Sequence, residues 1–178
     1  MKNRLVILLL ATGLGLAAFG MSGAAQARTI DYDSIDDAAP DRLPGYLQCV
    51  PYARQVSGVQ IRGDAWTWWD QAEGHYARGT RPKVGAVMAF RPYGKMVLGH
   101  VAAVSRVIDS RTVLLRHANW SPINGRRGQI EDDVMAVDSS PDNDWSEVRV
   151  WFDPIKGLGA THWPLASNFQ PWKGQRSP

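Results

Sequence analysis

Cys49, His100, His117 and Asn119 are residue types that together can cleave an amide by nucleophilic attack. A thiol attacks carbonyl carbon as thiolate, so it needs a lowered pKa and a base to take its proton. Residues 49–57 (CVPYARQVS) read as a short helix, with Pro51 suited to the first turn and Gly58 to the stop. Cys49 then lies at a helix N-terminus, where unpaired N–H groups and the macrodipole favour negative charge. His100 opens a β-rich run directly after Gly99, a rim position from which a base that titrates near neutrality can reach a helix end. The base must in turn be oriented through its other ring nitrogen. His117 and Asn119 are both candidates, and their spacing of two places them on one face of a strand, beyond Val113 and Leu115. Singly, a lone cysteine is more often inert and a strand-end histidine more often structural; their convergence carries the argument.

The elements that must position these residues follow from the same patterns. A second helix is expected around AWTWWDQAE, with Asp64 as N-cap and Gly74 as stop. Ala65, Trp69 and Ala72, with Trp66 beside them, form its apolar face, which leaves Trp68 nearest the surface. The period then changes to two: 84–90, 99–107 and 111–119 read as strands, with 148–152 as a fourth. Helices first and strands afterwards predict an α+β domain with N-terminal helices packed on an antiparallel β-sheet. After Asp153, Pro154, Gly157, Gly159, Pro164 and Pro171 predict a loop-rich tail over 153–178, pinned by Trp163 and Trp172.

The chain of 178 residues is long enough for one ordinary domain, and its single cysteine excludes a disulfide-stapled module. Residues 1–27 carry Lys2 and Arg4, an uncharged apolar run from Leu5, and Ala25-Gln26-Ala27, which together read as a secretory signal cleaved after Ala27. A retained anchor fits less well, because the second half of the run is Gly, Ser and Ala; no stable membrane insertion is expected after cleavage. The mature chain is expected to be periplasmic or extracellular. Removing Lys2 and Arg4 from 20 basic residues leaves 18 against 17 acidic ones, so the formal charge falls from +3 to +1. With no basic stripe and no longer run than Arg126-Arg127, nucleic-acid binding is not expected. Residues 28–45, with five aspartates and two prolines, read as an acidic linker. Oligomeric state has no sequence signature here.

Five segments in order, Gln48-Cys49-Val50-Pro51-Tyr52-Ala53-Arg54, Gly63-Asp64-Ala65-Trp66, Pro82-Lys83-Val84-Gly85-Ala86, Gly99-His100-Val101-Ala102-Ala103-Val104 and His117-Ala118-Asn119-Trp120, resemble the CHAP family of cysteine, histidine-dependent amidohydrolases and peptidases, a branch of the NlpC/P60-like, papain-related enzymes. The resemblance spans roughly 46–152, taken as the catalytic domain. It implies a papain-like core, Cys49 as nucleophile and His100 as base, with no metal or other cofactor. Many family members carry Glu two residues before the Asn-Trp pair, where this chain has His117. The match therefore favours Asn119 as the orienting residue, and relatives with a second histidine favour His117. Gln48 is implied as an oxyanion donor beside the Cys49 N–H. The implied substrate is peptidoglycan, cut between muramic acid and the stem peptide or within the peptides. Two alternatives stand beside this. One is an exported wall-binding module that kept the fold without the chemistry. The other is a zinc amidase using His100 and His117, for which His75 and His162 supply no recognisable ligand spacing.

Overall fold

Residues 46–170 are described by the computed structural model; the leader over 1–27 and the acidic segment 28–45 lie outside the described residues. Helix α1 (Cys49–Ser57) buries Val50, Tyr52 and Ala53 and stops on Gly58 at φ 74°, whose N–H returns to the Arg54 carbonyl at 3.1 Å. Glycine takes this left-handed conformation without a Cβ penalty. Where a continuous second helix was expected, a 3-10 turn (Ala65–Thr67) runs into the single-turn α2 (Trp68–Gln71). The change from three to 3.6 residues per turn alters the facing of the tryptophans. Trp68, expected near the surface, is fully buried, and Trp66 is 49% exposed.

Eight strands follow: β1 (Ala77–Gly79), β2 (Val87–Phe90), β3 (His100–Val107), β4 (Thr112–Ala118), β5 (Ile130–Asp138), β6 (Glu147–Phe152), β7 (Gly157–Leu158) and β8 (Trp163–Gln170). All pairings are antiparallel, in the order β8-β2-β3-β4-β5-β6, and β6 pairs back onto β8 through Glu147↔Pro164 and Val148↔Trp163. This closes a six-stranded barrel to which β1 and β7 are added. Closure leaves the six strands no free edge.

The expected α+β architecture, helices layered on a sheet, is therefore corrected: the described residues are mostly β, with two short α-helices and about 15% helix. Two strands unseen in the sequence explain the difference. In β5 (IEDDVMAVD) four acidic residues blur the alternation, although Glu131, Ala136 and Asp138 are buried. In β8 (WPLASNFQ) the proline suggests loop, yet Pro164 sits at the strand's second position, where its missing N–H is tolerated, and its carbonyl accepts from Arg91 N at 2.9 Å. The segment read as a loop-rich tail thus supplies the closing strand.

Two cores result. Met88, Phe90, Ala102, Val104, Val113, Leu115, Ala136, Val148, Val150 and Leu165 fill the barrel, with Trp120 and Trp145. Val50, Ala53, Val59, Ile61, Ala65 and Trp68 from the helical arm pack on Val87, Ala89, Val101 and Phe169. Strand β2 is buried at all four positions because its alternate side chains feed the two cores. His100 and His117 continue the barrel-facing alternation of Ala102/Val104 and of Val113/Leu115.

Candidate active site

The chain enters the described structure along the loop between β4 and β5. Leu47 N–H donates to the Gly128 carbonyl at 2.9 Å, and the Tyr46 ring packs where a side chain at residue 128 would sit. A Cβ on Gly128, at φ 86°, would lie 2.7 Å from the Tyr46 ring. Glycine is thus required there to seat the segment leading into Cys49. The Tyr52 hydroxyl donates to Asp132 Oδ1 at 3.1 Å, tying α1 to β5; burial first, and then this carboxylate, push the phenol above its ordinary pKa.

Cys49 is the first residue of α1 and is half-buried. Gln48, in N-cap position with extended backbone, makes no side-chain cap. Its side chain instead takes part in a chain whose polarity one backbone donor decides. Gly128 N–H donates to Asn119 Oδ1 at 3.1 Å, joined by the Tyr46 hydroxyl at 3.0 Å. Asn119 Nδ2 must then donate to Gln48 Oε1, at 2.8 Å, which turns the Gln48 NH2 away from Asn119. Asn119 follows β4 with φ 63°, a left-handed conformation that asparagine tolerates.

On the barrel side, Gly99 at φ 70° precedes His100, and a Cβ there would lie 2.6 Å from the Phe90 carbonyl and 3.0 Å from Trp66 N. This close approach is sealed by Trp66 N–H donating to the Leu98 carbonyl at 3.0 Å. His100 is buried, and its Nε2 lies 3.1 Å from Nδ1 of the buried His117. Phe90 meets the His100 ring edge-on at 5.6 Å, Trp120 lies 4.9 Å from it, and Trp120 stacks on His117 at 23°. Burial in this aromatic box holds His100 down to about 3; burial, and secondarily His100 itself, hold His117 well below the ordinary imidazole range.

Gln48, Cys49, His100 and Asn119 line one cavity of about 1120 Å³, together with Trp120 and Trp163. His117 stands behind His100. The strand period had placed His117 and Asn119 on one face, but the left-handed backbone at Asn119 sends the two side chains to different partners. Sequence reasoning missed Tyr46 and Gly128, which hold the Asn119–Gln48 chain; a glycine beside Arg126-Arg127 gives no local sign of that use. It also missed Lys95 and Arg127, cations at the cavity margin that form no ion pair among the described residues. Among the described residues no group of three or more His, Cys, Asp or Glu side chains could hold a metal ion. No helix among them is long and apolar enough to cross a membrane.

A thiol at a helix start and the buried imidazole of His100 line one cavity, the residue types that a cysteine-histidine site uses. Residues 39–119 match the family model of the CHAP domain. The match ends at Asn119, so the barrel from β5 onward lies beyond it. The family is typically one of amidases and peptidases, and the match points to a peptidoglycan amidase- or peptidase-like hydrolase. No curated protein and no solved structure matched the chain.

Proposed function

We propose that this protein is an exported cysteine hydrolase that cleaves amide bonds of peptidoglycan, as a muramoyl-peptide amidase or a stem-peptide endopeptidase. The observation that carries the reading is the shared cavity: Cys49 at a helix N-terminus and His100 backed by His117 open onto the same space. With Nε2 of His100 turned to His117, Nδ1 is the nitrogen for the thiol. For Nδ1 to accept a proton, Nε2 must carry the other one and donate it to His117 Nδ1. His117 is then the orienting residue, and Asn119 serves Gln48.

Cys49 gives its proton to His100 Nδ1, and the thiolate attacks the amide carbon. The oxyanion forms beside the Cys49 N–H and the outward NH2 of Gln48. Collapse breaks the C–N bond as the His100 imidazolium protonates the leaving amine, leaving a thioester. Water, deprotonated by His100, then releases the carboxylate product and restores the thiol. The aromatic walls suit sugar rings, and Lys95 and Arg127 suit the carboxylates of a stem peptide. The leader pattern read over residues 1–27 agrees with the reading, since the wall lies outside the cytoplasm.

The test is mass spectrometry of peptidoglycan digested with residues 28–178. New amine and carboxylate ends are expected, their identity naming the bond cut, and Cys49→Ala should reduce cleavage to background while retaining the wild-type melting curve. Absence of new fragments from several wall chemotypes, or full activity in Cys49→Ala, would defeat the proposal.

A further inference from the structure

We propose that Glu131 is a positioning residue of this site, a buried carboxylate that holds His117 in the acceptor tautomer toward His100 and balances the positive charge the histidine pair gains when Cys49 is deprotonated. The inference rests on the cysteine-hydrolase reading above. In the β4–β5 register, Glu131 is the Cα partner of His117, and residues directly opposite in an antiparallel pair share a face. Both are buried, at 5% and 1% exposure, while the neighbouring Ile130 and Asp132 are exposed. Glu131 Oε1 accepts from Ser121 N–H at 2.6 Å, but its Oε2 has no partner, and neither does His117 Nε2.

A buried carboxylate oxygen without a partner is costly, and so is a buried imidazole nitrogen without one. Here the two occur on adjacent strands, across from one another. No hydrogen bond or ion pair joins them, so Glu131 acts through the field of its charge, which carries further in a barrel interior than in water. That field favours the tautomer in which His117 bears its proton on Nε2, the nitrogen left without a partner, and offers Nδ1 to His100. It also opposes the burial that otherwise keeps both imidazoles neutral.

The other charged groups near the pair are distributed differently. Cys49 and Asp64 from the helical arm, Lys95 from the β2–β3 connection and Arg127 from the β4–β5 loop line the cavity in front of His100. Arg127 is held by the Trp120 carbonyl at 2.9 Å. Arg116 and Asp132, 3.7 Å apart, occupy the alternate positions of β4 and β5 and face the other way. Glu131 is thus the carboxylate on the barrel-facing side of the pair.

Because Cys49 is the sole cysteine, iodoacetamide alkylation of the whole protein reads its thiolate directly. Glu131→Gln keeps an oxygen for the Ser121 N–H and removes the charge. In this variant the alkylation profile should move to higher pH by about one unit, about a tenfold slower rate on the acid limb, and the pH profile of kcat/KM should move with it. Glu131→Asp should restore most of the shift. A Glu131→Gln profile superimposable on wild type overturns the inference, whatever happens to stability. Nitrogen-15 spectra of the wild-type histidines test it independently of any variant: His117 protonated on Nε2 supports it, and protonation on Nδ1 overturns it. A wild-type Cys49 that alkylates no faster than an ordinary thiol would instead defeat the hydrolase reading itself, and this inference with it.

Discussion

At Cys49 the local structure supplies half of what a nucleophile needs. A helix start lowers the cost of a thiolate, but the base must arrive from a strand 51 positions later in the chain. On the proposed reading, the two candidates for orienting that base make different hydrogen bonds, His117 with His100 and Asn119 with Gln48. His117→Ala should lower kcat by about 10²–10⁴-fold, the usual contribution of a correctly held acid-base group, with little change in KM. Asn119→Ala should act through Gln48 and the Tyr46 segment, with a smaller loss in kcat. Steady-state kinetics on a soluble muropeptide distinguishes the two, and equal losses would mean that both serve the base. The histidine pair also makes a stability prediction. His100 is held down to about 3, so between that value and the ordinary imidazole value near 6.5 the unfolded chain binds a proton that the folded one does not. Stability is full above about pH 6.5 and falls as pH drops toward 3, at up to ~1.4 kcal/mol per pH unit for each such histidine. Melting temperatures across that window, with His100→Asn expected to flatten the slope, check it.

Two glycines at the ends of secondary-structure elements decide where the active groups stand. Gly99 lets the β2 end and the Trp66 backbone close on the start of β3, which sets His100 at the barrel mouth. Gly128 lets the Tyr46 segment lie flat on the β4–β5 loop, which sets the start of α1. At both positions a side chain would combine a left-handed backbone with a Cβ contact under 3.0 Å. Gly99→Ala and Gly128→Ala are each expected to cost about 1–3 kcal/mol or more in chemical denaturation and to reduce kcat. Wild-type stability in either would show that the neighbouring backbone yields freely. The first helix was legible because its signals, a first-turn proline and a stop glycine, are local. The second was not: the same tryptophans read as a continuous helix expose the wrong one, because the 3-10 turn shifts the phase.

For the whole molecule, closure is the decisive fact. Strand β8 pairs with β1, β2 and β6 and contributes Leu165 to one core and Phe169 to the other. Truncation after Phe152, the end of the domain as drawn from sequence patterns, removes the closing strand and exposes two long edges. The truncated chain should be insoluble or lack cooperative unfolding by circular dichroism. A soluble, cooperatively folding 28–152 fragment would show that five barrel strands and the helical arm suffice.

The chemical inventory is legible in the amino-acid order: one thiol at a helix start, a histidine at a strand start, a polar pair two residues apart, and ordered motifs that resemble the CHAP family. These are readable because each depends on residue type and short spacing. The barrel is set by long-range pairing, since β5 is too acidic and β8 too broken by proline to alternate visibly, and their strand character comes from partners far along the chain. The fold likewise decides the separate employment of His117 and Asn119, whose equal claim in a regular strand is broken by one left-handed residue. The pairing of His117 with Glu131 is of the same kind, a matter of register between strands.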